Sequence, residues 1–229
     1  MKDQIAVDVA NLLGSITETQ LSGTKLVIKG GEYSSEKHNG MVIGDKGSVA
    51  ICDGDVLGGT IEDDENNVGI AFSGVVVQAG GELNMAGGSI KGGDGSESGG
   101  RGVGLAVVGG DDAISTATIV GGNIAAGTEI NDELVGISLY VGSDATVNVW
   151  GGTLGSHWVV ADGGTVNVYG KDLIRSADDN GNNLQGYLCD GSSINVNLIL
   201  YNGNDILLQH LTVHTDFNQS RKKYQDEEY

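Results

Sequence analysis

The chain has 229 residues, with 40 glycines, no proline, two phenylalanines and 39% hydrophobic residues, against about 7% glycine and about 5% proline in an average protein. There is no strict Gly-X-Y period, which excludes collagen, and valine and isoleucine alternate between the glycines, which excludes a flexible linker. With 31 acidic against 12 basic residues the formal charge is −19, a field that repels phosphate backbones and anionic membrane surfaces and so argues against nucleic acid as a partner.

At the N-terminus, Ile5, Val9, Leu12 and Leu13 fall on one helical face and Gly14 is placed to end it, which predicts a cap helix over residues 1–15. The same segment has no basic stretch before a long apolar core and does not read as a secretory signal. No apolar run reaches the roughly 18 residues of a transmembrane helix, so no membrane insertion is expected.

From Leu26 onward one phrase returns: apolar, any residue, apolar. It reads Leu26-Val27-Ile28, Val49-Ala50-Ile51, Leu83-Asn84-Met85, Ala117-Thr118-Ile119, Val147-Asn148-Val149, Val166-Asn167-Val168 and Ile194-Asn195-Val196. Gly-Gly pairs with a second short apolar segment follow at 30–33, 87–90, 121–124 and 151–154, and the second copy delays its pair to 58–59. A third apolar segment precedes the next copy, and Ile43, Val77, Val141, Val160 and Leu188 each stand six residues ahead of its first apolar position. Each unit is therefore strand, glycine corner, strand, variable loop, strand, corner.

Alternation with period two buries one face of each strand, and stacking such units buries a column that no unit could bury alone. The expected fold is all-β: a right-handed parallel β-helix, or β-solenoid, of about seven rungs. The expected organisation is one β-helix domain over 1–208, comprising the cap helix 1–15 and rungs over 24–208, followed by a C-terminal lid and polar tail over 209–229.

The Gly-Gly-Thr-Val-Asn-Val phrase at 163–168 resembles repeats in bacterial autotransporter passenger domains and other secreted β-helix surface adhesins. The stretch at 184–208 is similar to the closing rung of secreted repeat proteins, although no sorting signal follows it. The likeness is one of architecture over about residues 24–208. It implies an extracellular or cell-surface location and a non-enzymatic structural or adhesive role, and it carries over no catalytic residue.

Two regions could carry chemistry. If Val147 and Val149 point inward, then Thr146, Asn148 and Trp150 point outward, and Thr165, Asn167 and Tyr169 repeat them nineteen residues later. Such a flat face of hydroxyls, amides and aromatics suits carbohydrate. The long insertions gather at one corner and carry Asp63, Asp64, Asp178 and Asp179. Carboxylates there could collect oxygen ligands for calcium, the only cofactor that the sequence suggests. The alternative is a polysaccharide lyase or hydrolase acting at that acidic edge, with Arg175, Asp172, Asp178 and Asp179 as its charged groups. A glycan or protein partner and self-association are the expected interactions. Cys52 and Cys189 are too far apart along such a coil to bridge.

Overall fold

The computed structural model describes residues 5–6, 20–60, 72–94, 102–110, 113–128, 136–178, 181–200 and 211–215. These are all-β, with no helix among them, and their strands join in one strongly curled, mixed sheet.

Successive units pair in parallel and in register along a first face. The phrase starting at Leu26 lies on Val49, and Leu83, Ala117, Val147 and Val166 follow in the same column. A second face forms the same way: Met41, Val75, Leu105, Leu139, Trp158 and Leu198 stack in order. Between them Tyr33, Val56, Ile90 and Ile124 make a third column. All three sets point inward, and all but the partly buried Leu26 are buried. Withdrawing each Val, Leu or Ile from water is worth about 1.5–3 kcal/mol, so the cohesion of the molecule lies along the stacking direction.

Glycine makes the first corner possible. Gly88, Gly122 and Gly152 have φ of 76°, 93° and 93°, a region that other residues enter at a cost. They also sit directly on one another, since a Cβ on Gly152 would lie 2.8 Å from the Gly122 carbonyl oxygen.

The sixth unit departs from the pattern. Tyr169-Gly170-Lys171 offers no Gly-Gly pair, so the chain does not turn there. It runs on as strand Thr165–Asp178, doubles back as Gly181–Leu188 and returns as Ser193–Leu200, these three strands pairing antiparallel, each with the next. The insertion 172–183, expected as a loop, is thus largely strand. Ile194-Asn195-Val196, expected to stack on Val166-Asn167-Val168, pairs instead with Leu184–Gly186, and the strand then crosses to the second face beside His157–Val160. Leu211–His214 occupies the place on the first face, parallel to Val166–Tyr169.

The missing corner is filled by a carboxylate. Asp190 Oδ2 accepts from Gly152 N–H at 2.7 Å, while its Oδ1 accepts from Ser192 N–H at 2.8 Å. An Asp190→Ala variant should lose about 1 kcal/mol, as expected for removing hydrogen bonds to a charge at an exposed, solvent-screened position. A lower urea midpoint, with faster amide exchange at Gly152 than at Gly122, would register it.

The N-terminal helix is corrected in part. Ile5–Ala6 is a short strand, parallel to Leu26–Val27, because an open sheet edge offers those two residues ladder bonds that a lone helix start cannot match. Val9, Leu12, Leu13 and Gly14 lie outside the described residues.

Candidate functional site

The outward columns of the first face carry the residues singled out from sequence. Thr146 stands in register with Thr165 and Asn148 with Asn167. Asn167 Nδ2 donates to Asn148 Oδ1 at 3.0 Å, so the amides form a ladder worth about 0.2–1 kcal/mol per pair. Trp150 and Tyr169 stack with ring centroids 3.6 Å apart and planes 2° apart. That is closer than the strand spacing of about 4.8 Å, so the side chains lean together.

A third ring, which sequence reasoning missed, completes the stack. His214 lies on the other face of Tyr169 at 4.3 Å and 7°. Its signal was the alternation Leu211-Thr212-Val213-His214, which copies Val166-Asn167-Val168-Tyr169 without the glycine that follows five of the seven copies. Both faces of Tyr169 are therefore taken, and it presents ring edges rather than a platform. Burial pushes its phenol pKa up, so the hydroxyl stays protonated.

Beyond Trp150 the same column falls away to Val120, Ala86 and Cys52, and the middle column continues as Thr118, Asn84 and Ala50. The step from large to small side chains leaves a cavity of about 690 Å³ over the first face, with Trp150 and Tyr169 among its lining. Asn84 Nδ2 donates to Glu82 Oε1 at 2.8 Å at its margin. Cys52 is an exposed free thiol within this lining.

The acidic corner is described only at its base. Thr60 Oγ1 donates to the Asp94 carbonyl at 2.8 Å, and Thr128 N–H donates to Asp94 Oδ1 at 2.7 Å. Lys91 Nζ lies 2.9 Å from the same carboxylate. Burial would raise the Asp94 pKa, but hydrogen bonds from Lys91 and Thr128 and the Lys91 charge outweigh it and hold it below the ordinary value. One aspartate thus ties three successive loop bases together. Asp63, Asp64 and Asp179 lie outside the described residues, and Asp178 ends its strand opposite Gly181. Among the described residues no three His, Cys, Asp or Glu side chains converge as metal ligands. Arg175 stands opposite Leu184 in the inserted hairpin, and the Asp172 carboxylate lies 3.8 Å from Lys171.

Comparison with protein families, characterised proteins and solved structures finds no match for the chain. Among the described residues no helix is long and apolar enough to cross a membrane.

Proposed function

We propose that the chain is a right-handed parallel β-helix serving as a non-enzymatic surface or adhesion module, and that it binds carbohydrate on its first face. The observation that carries this reading is the in-register outer surface, where an amide ladder and an aromatic stack border a cavity with a small-residue floor. Sugars need that combination: hydroxyl-matching amides beside apolar surface that their C–H faces can cover. The acidic loop edge is the place where calcium would act, and an extracellular setting is where such a module would work.

The test is a glycan array, run with and without calcium, comparing wild type with Trp150→Ala/Tyr169→Ala. Both side chains sit on outward columns, so the double variant should keep the wild-type far-UV circular dichroism. Expected is a hit weakened at least about tenfold in the variant, equivalent to about 1.4 kcal/mol. Equal binding by both proteins would move the site elsewhere, and no hit in either condition would overturn the carbohydrate reading.

A further inference from the structure

The cavity runs lengthwise. Its floor takes side chains from successive units, with Val27, Ala50, Asn84 and Thr118 in one column. Beside them Cys52, Ala86 and Val120 line it as well, and Trp150 and Tyr169 stand at the far end. A trough of this shape arises because three consecutive units carry Cys52, Ala86 and Val120 in the column where the next two carry Trp150 and Tyr169.

We infer that the trough takes a linear, uncharged glycan lying along the stacking direction, one sugar residue to each unit, its last ring against the aromatic end. This rests on the carbohydrate reading above and deepens it. Strands repeat every ~4.8 Å, close to the advance of one pyranose in an extended chain, so each sugar meets an equivalent rung. Between its charged margin at Lys25 and Glu82, the floor offers what an uncharged sugar uses. Asn84, Thr118 and Asn148 supply amides and a hydroxyl, and Ala50, Ala86 and Val120 supply apolar floor. A polymer of uronates or sulfated sugars would enter the field of a chain with formal charge −19, and would be repelled. Branched glycans would collide with the aromatic end or leave the floor uncovered.

The experiment uses the full chain carrying Cys189→Ser, so that Cys52 is the single thiol. β-1,4-Linked neutral oligosaccharides of one to six residues are titrated by calorimetry, and the alkylation rate of Cys52 by a small maleimide is followed in parallel. Affinity should rise about tenfold or more between disaccharide and tetrasaccharide and then level off. At ten times its Kd the tetrasaccharide should slow Cys52 alkylation about tenfold by occupancy alone. Ala86→Arg, which fills the floor from an exposed position, should abolish binding with unchanged circular dichroism. Equal affinity for one and four sugars, or tight binding that leaves Cys52 as reactive as before, would overturn the lengthwise trough while leaving a carbohydrate module in place. Slow alkylation without any sugar would mean that the chain itself fills the trough, and would overturn it too. Failure of every neutral glycan, with the array also blank, would remove both.

Discussion

Trp158→Ala is expected to cost about 3–5 kcal/mol, in the range measured for emptying a buried tryptophan site. Trp158 is fully buried in the second-face column, with Leu139 on one side and Leu198 on the other. Its Nε1–H donates to the Gly155 carbonyl at 3.1 Å, which also accepts from Ser138 Oγ at 2.8 Å. The side chain therefore fills the interior of the shortest unit and closes the turn that makes it short. Trp158→Phe keeps most of the volume and loses the N–H, and should cost less than half as much. Urea unfolding followed by far-UV circular dichroism separates the three proteins. An alanine variant within about 1 kcal/mol of wild type would mean that the neighbouring units collapse onto the vacated space. Because the indole points away from the first face, the folded fraction of either variant should bind glycan as wild type does.

Gly88→Ala should be the second large loss, about 3 kcal/mol or more, since left-handed backbone and a clash add together. The residue has φ of 76°. Its new Cβ would run into the Gly54 carbonyl oxygen, with the Asp53 carbonyl carbon 3.0 Å away and Gly54 N 3.1 Å away. All of these are backbone atoms of the preceding unit, so no side-chain rotation relieves the contact. Gly191→Ala is the control: φ is 91° there, but nothing lies within 4 Å of the added atom. It isolates the conformational cost, about 1–2 kcal/mol. Equal losses at the two glycines would mean that the stacked corner has slack that its geometry does not show.

The repeat was legible because period-two alternation and glycine corners are both local. Val147 and Val149 announce an inward face by themselves, and the nineteen-residue return announces their partners Val166 and Val168. Strand direction is not local. Ile194-Asn195-Val196 has the same alternation as the other copies, and nothing within it distinguishes a parallel neighbour from an antiparallel one. The clue lay twenty-odd residues earlier, in the absent Gly-Gly pair after Tyr169. At the N-terminus the spacing of Ile5, Val9 and Leu12 fits a helix, but the sheet edge that draws Ile5 and Ala6 into a strand lies at Leu26 and Val27. The candidate site divides in the same way. Trp150 and Tyr169 could be aligned by counting, whereas the trough is defined by the smallness of Cys52, Ala86 and Val120, spaced 34 residues apart. That signal becomes visible only once register has brought them into one column.

The Asp190 plug bears on the order in which the molecule can be finished during synthesis. Each of the second, third and fourth units rests on the one before it, and an emerging chain folds N-terminal parts first. Translation can therefore lay these units down one upon another. The fifth is different, because its corner amide at Gly152 is satisfied from 38 residues downstream, after the whole hairpin has left the ribosome. Nascent chains stalled before residue 190 should thus protect the amides of Ile51, Met85 and Ile119 while Gly152 still exchanges freely. Emergence of the chain through His214 should then close the fifth and sixth units together, since Ser193–Leu200 and Leu211–His214 complete their pairing.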